Sequence, residues 1–221
     1  KKDCFNINLE TNVKKIKLLK SSIQNIEILS IMTDAKDKTQ IPFLKRVLDY
    51  KQIDRKGFAE YLINLIDEFN TEFKIPLEAE IRKIQFPQEG QLLRYIQLKI
   101  ILKYYNEIIS GHSNREHISP LIKRVNSTFS SLSSIFDIVD EREENDKPLT
   151  IISLRNIYDN SIKKLITLLV SKEAYELQKS KGNPSDFLNI IIDEAHNVLS
   201  YSSQRESETW KDYRLETFEE I

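Results

Sequence analysis

Apolar residues along the chain recur at two spacings, and the places where the spacing changes divide it. Near the start, Phe5, Ile7 and Leu9, and then residues 13–19, alternate loosely with polar ones. That is the pattern of one or two short strands. From Ile26 the spacing becomes helical. Pro42 stands where a first helical turn accepts it, and Phe43, Leu44, Val47 and Leu48 follow at helical intervals. Residues 57–73 carry Phe58, Tyr61, Leu62, Leu65, Ile66, Phe69 and Phe73 on one stripe, which predicts an amphipathic helix. Residues 91–109 predict a second long helix, striped by Leu93, Ile96, Ile100 and Tyr104 and stopped by Gly111. Ser119-Pro120 reads as a helix cap followed by a first helical position. A third helix then carries Leu121, Val125, Phe129, Leu132, Phe136 and Val139.

The run Asp140-Glu141-Arg142-Glu143-Glu144-Asn145-Asp146 interrupts this helical block. Like charges in such density belong to a solvated linker. After it, residues 148–154 predict a short buried strand, 159–179 a helix, and 187–192 a second strand. Strand, helix and strand in this order are what a parallel sheet requires. The expected organisation is therefore a mainly helical region over 1–146, with a short strand region at its start, and a part of an α/β core over 147–221.

The second predicted strand carries the chemistry. Ile190-Ile191-Ile192 shows no alternation, as in a strand buried on both faces. It runs directly into Asp193-Glu194-Ala195-His196-Asn197. Ligands of open parallel sheets bind beyond the C-terminal ends of the strands, so both acids would stand at that rim. One carboxylate can hold Mg²⁺ through its water shell, because Mg²⁺ gives up water reluctantly. The next can orient and polarise an attacking water. Asp193 takes the first role and Glu194 the second. In the plainer alternative, Asp193 caps the following helix and Glu194 sits in its first turn.

Composition narrows the classes. Lys and Arg number 33 against 34 Asp and Glu, so no strong field draws the whole chain onto nucleic acid or an anionic surface. Lys14, Lys15, Lys17 and Lys20 form a local basic patch that reads as a solvated face. The single cysteine, Cys4, cannot form an internal disulfide and points to a reducing, cytoplasmic setting. No apolar run approaches the roughly 18–20 residues needed to span a bilayer, so no membrane is expected. The chain opens on Lys1-Lys2-Asp3 without an initiator Met, and the expectation is an internal piece of a longer protein. Its four glycines include none followed by lysine, so the Gly-Lys loop that cradles phosphates is missing from this sequence.

Residues 190–197, I-I-I-D-E-A-H-N, resemble the Walker B segment of HerA-like ATPases of the HerA/FtsK superfamily. Residues 148–154, P-L-T-I-I-S-L, resemble the strand before it, although the family often has Asp where Ser153 stands. Residues 28–48 resemble a helical segment that the family inserts after its second core strand. The resemblance implies a partial P-loop NTPase core of RecA-like type, with parallel strands and a large helical insertion. It implies ATP and Mg²⁺ as cofactors, a homo-hexameric ring around double-stranded DNA, and a nuclease or other effector as partner. In that setting His196 and Asn197 would couple nucleotide state to a neighbour. Arg205 and Arg214 are expected on the surface rather than as arginine fingers. Two rivals remain. One is a superfamily 2 DEAH-type helicase, whose motif Asp193-Glu194-Ala195-His196 matches literally. The other is a non-catalytic helical module that binds a partner and uses the acids only as caps.

Overall fold

Strand pairing ties the beginning of the chain to its second half. The computed structural model describes residues 2–8, 14–36, 38–67, 74–88, 91–141, 148–181, 187–199 and 208–221. Within these, the strands are β1 (Lys2–Asn6), β2 (Ile16–Leu19), β3 (Phe136–Val139) and β4 (Leu149–Ser153). β1 lies parallel to β4, with Cys4 opposite Ile151, and β2 lies parallel to β3, with Leu18 opposite Ile138. The first ladder extends one residue further, since the Ile7 N–H donates to the Ser153 carbonyl at 3.0 Å. Helices and parallel strands thus combine in a mixed α/β fold.

Because parallel partners need a crossover, everything between β2 and β3 must leave and return. The chain accordingly divides into two compact units: unit 1 comprises Lys1–Asp34 with Ser130–Ile221, and unit 2 comprises Ala35–Phe129. This differs from the expected division at 146/147. The strands near the start belong with the second half because that is where their hydrogen-bonding partners are. Of the charge run, residues 142–146 lie outside the described residues.

Unit 1 contains α1 (Lys20–Ile23) and α2 (Ile26–Met32). Asn25 caps α2 by accepting the Glu27 N–H at 2.7 Å. Its other helices include α8 (Asn160–Lys181), α9 (Ala195–Leu199) and α10 (Glu208–Glu220). The predicted helix over 159–179 is α8. Asp159 caps it by accepting the Ser161 N–H at 2.8 Å, and Ile162, Leu165, Ile166, Leu168 and Leu169 are buried as the stripe required. Glu173 of α8 is also buried. It accepts the Leu19 N–H at 3.3 Å and the Ser22 hydroxyl at 2.7 Å, fastening α8 to the junction of β2 and α1. The lysine patch is engaged locally. Lys14 pairs with Asp3 and lies 4.2 Å from the centre of the Phe5 ring, Lys15 donates to the Ser133 carbonyl, and Lys20 pairs with Asp140 at 2.9 Å.

Unit 2 holds α3 (Gln40–Leu48), α4 (Phe58–Asp67), α5 (Lys74–Ile81), α6 (Leu92–Ile109) and most of α7 (Arg115–Ile135). Pro42 falls in the first turn of α3, where its missing N–H has no partner to lose. Phe43, Leu44, Val47, Leu65, Ile66, Ile100 and Phe129 make its core. Phe69 and Phe73, expected on the α4 stripe, lie outside the described residues.

Two boundaries differ from expectation. α7 starts at Arg115 rather than at Ser119-Pro120, because Asn114 supplies the cap by accepting the Glu116 N–H at 2.9 Å, and Pro120 lies inside the helix. Phe136–Val139, expected to continue it, forms β3 instead. Phe136, Ile138 and Val139 are of types that suit a strand, and pairing with β2 supplies the partner. The third difference is larger: residues 187–192 belong to no ladder among the described residues, and the parallel neighbour of β4 is β1.

A buried carboxylate organises unit 2. Glu107 of α6 receives Arg46 of α3 in a two-point pair at 2.7 and 2.8 Å, has the Lys103 ammonium at 3.5 Å, and accepts the Ser113 hydroxyl. Burial pushes its pKa up, but the hydrogen bonds from Arg46 and Ser113 and the charges of Arg46 and Lys103 outweigh that and hold it below the ordinary value. A depressed carboxylate contributes stability above its unfolded pKa and loses it as the pH falls through the folded value. Lowering the pH below about 4.3 should therefore shift the urea midpoint of the native chain more than that of Glu107→Gln. Arg46→Met, which leaves Glu107 buried without its main partner, should cost about 1–3 kcal/mol at neutral pH. Equal pH profiles for the native chain and Glu107→Gln would show that the network adds nothing.

Candidate functional site around Asp193 and Glu194

Residues 187–192 precede the two acids and belong to no helix or strand. A triple-isoleucine run in water should find cover, yet Ile191 is 93% exposed and Phe187 87% exposed. The expected central strand, buried on both faces, is therefore not formed. The sheet it was to join is open as well. Leu149 and Ile151 of β4 are 51% and 43% exposed. An all-parallel sheet is normally covered on both faces, and a two-stranded one has little to stabilise it.

At Asp193 the chain turns. Asp193 Oδ1 accepts the Glu194 N–H at 2.9 Å, and the Glu194 carbonyl accepts the Asn197 N–H at 2.9 Å, opening α9. Glu194 has φ of +55°, in the left-handed region. A residue with a Cβ is disfavoured there by roughly 1–2 kcal/mol, and such positions concentrate at functional sites and sharp turns. Two consecutive carboxylates thus stand on a single turn, and both are exposed.

His196 follows closely, with Nδ1 at 3.3 Å from Glu194 Oε2; both side chains are exposed. Asn197 is exposed too. The structure thus places Asp193, Glu194, His196 and Asn197 on one short turn and helix start, and pairs Glu194 with His196 directly. Among the described residues, no group of three His, Cys, Asp or Glu side chains is arranged to hold a metal ion. A single carboxylate suits a hydrated Mg²⁺, which takes most of its ligands from water and phosphate. Asp193 fits that requirement through the oxygen not engaged by Glu194.

The end of α9 meets an arginine that was expected on the surface. Arg214 of α10 is fully buried and donates from Nη1 to the carbonyl of Val198, in the last turn of α9. The carbonyls ending a helix lack partners within it, and a guanidinium meets that need while its charge complements the helix dipole. The arginine's length lets α10 reach α9, and Val198 is itself buried. Nothing in the sequence separates Arg214 from the solvent-facing arginines. Arg205 lies outside the described residues.

Comparison with protein-family models, with curated proteins and with solved structures yields no match.

The left-handed Glu194 generates a measurable expectation. Glu194→Gly relieves the Cβ clash at this φ, so it should stabilise the chain by about 0.5–1 kcal/mol despite the added freedom of the unfolded state. The check is the urea midpoint of Glu194→Gly against Glu194→Ala. Equal midpoints would mean that the turn carries no strain.

Proposed function

We propose that the chain is part of an ATP-hydrolysing motor that moves on double-stranded DNA, similar to HerA-like ATPases, with Asp193 and Glu194 as its Walker B acids. The observation that carries the reading is the adjacency of two exposed carboxylates on a strained turn, between an apolar segment and a helix start. Bound ATP with Mg²⁺ would supply the phosphoryl group and the charge that neutralises its oxygens. Asp193 would face the metal's water shell. Glu194 would align a water and accept its proton. His196, 3.3 Å from Glu194, can report the state of that carboxylate to a neighbouring subunit. In this reading the phosphate cradle comes from a Gly-Lys loop outside this sequence, the working form is a homo-hexamer, and a nuclease or other effector is its partner. Among the described residues no helix is long and apolar enough to cross a membrane.

A second reading has its own support. Residues 187–192 sit in no ladder and expose Phe187 and Ile191, as a partner-binding module with non-catalytic acids would. Variants separate the two. In the intact parent protein, Glu194→Gln should lower ATP turnover by about 10²–10⁴ and leave nucleotide binding close to normal. Asp193→Asn should also weaken Mg-ATP binding. If the acids are only caps, both amide variants keep substantial turnover, since Asn caps a helix well. The 221-residue chain alone should show no turnover above its Glu194→Gln variant, because its sequence has no Gly-Lys loop.

A further inference from the structure

Unit 2 has an open surface cleft of about 460 Å³ between the segment after α3 and the start of α4. Its chemistry is specific. Tyr61 and Tyr95 supply aromatic walls, Asp54 and Glu60 two carboxylates, and Gln52 and Asn64 two primary amides. Lys51 is the one cation among its described lining residues.

The walls are held in place. The Tyr95 hydroxyl accepts the Ile53 N–H at 3.1 Å and lies 3.2 Å from the Ile53 carbonyl, pinning the segment to α6. Phe86 packs edge-on against both Tyr95 and Phe58. Asp54 Oδ1 accepts the Gly57 N–H at 2.7 Å, and a Cβ on Gly57 would meet that oxygen at 3.1 Å, so glycine permits the close turn that leads into α4. Tyr61 is fixed by a hydrogen bond between its hydroxyl and that of Tyr50.

Lys51 shows what the cleft favours. Its ammonium lies 5.0 Å from the centre of the Tyr61 ring, a cation–π contact. The lysine is exposed and its tether flexible, so the contact can be exchanged. Arg55, the next cation along the chain, cannot serve. It is held by the Pro87 carbonyl at 2.9 Å and lies over Phe86.

We propose that this cleft binds an arginine or lysine side chain of a partner polypeptide, with the incoming cation taking the place of Lys51 over Tyr61. The two carboxylates against one lysine attract a cation and repel phosphate. The amides of Gln52 and Asn64 each offer an acceptor and a donor, which complement the peptide groups flanking such a side chain. A free polyamine would leave them unmatched. The site is independent of the acids at 193 and 194.

The test titrates the 221-residue chain with acetyl-Gly-Arg-Gly-amide and follows the backbone amide resonances of Ile53, Gly57 and Asn64. The expected result is saturable shifts at these positions, absent when citrulline replaces arginine in the peptide. Lys51→Ala should tighten binding by roughly 2–10-fold by vacating the ring. Tyr61→Leu should weaken it by roughly 3–30-fold, and Tyr61→Phe, which keeps the ring but loses the bond to Tyr50, should weaken it less than Tyr61→Leu does. Equal binding of the citrulline peptide, weaker binding by Lys51→Ala, or tighter binding of spermidine than of the peptide would each overturn the proposal.

Discussion

Parallel pairing across more than a hundred residues is the constraint on which the structure rests. β1 meets β4 and β2 meets β3, each in the same direction. A tight turn cannot join parallel neighbours. The intervening chain must leave the sheets, and here it does so as a whole helical unit with its own core, Ala35–Phe129. Closing so long a loop has only a logarithmic entropy cost with length, so a self-supporting insertion is tolerated where a structureless one would be hard to place. The loss falls on the sheets. Two strands each give little shared apolar surface, and β4 leaves Leu149 and Ile151 partly in water.

Buried charges supply the links that the sheets do not. Glu107 draws α3 and the turn after α6 together through Arg46 and Ser113. Glu173 draws α8 to the end of β2 through a backbone N–H and Ser22. Arg214 joins α10 to the end of α9. Each replaces water with directed hydrogen bonds, which a desolvated charge demands.

Around Asp193 and Glu194 the balance runs the other way. The acids are exposed, the preceding apolar segment has no ladder partner among the described residues, and Glu194 is held at an unfavourable φ. Local preferences and the tertiary environment disagree here, and such disagreement is common at sites kept for function rather than stability. Burial of Val198 and the bond from Arg214 anchor α9, so the turn is fixed at one end while its carboxylates stay in solvent.

Periodicity in the sequence determined the long helices. The stripe of α8 was readable because an amphipathic helix must repeat its apolar residues every three or four positions, and α6 buries Leu98, Leu102 and Tyr105 beyond the stripe that predicted it. β4 was readable as a short apolar run behind a charged linker. The adjacency of Asp193 and Glu194 is a property of the sequence alone. Tertiary structure decided what periodicity cannot encode. Strand partners depend on which edges meet, so β1 rather than residues 187–192 lies beside β4, and Phe136–Val139 left its predicted helix for β2. Ionisable residues look alike in sequence whether buried or not, so Glu107, Glu173 and Arg214 gave no sign of their burial. Each was set by a complementary donor or acceptor brought close only when the chain had folded.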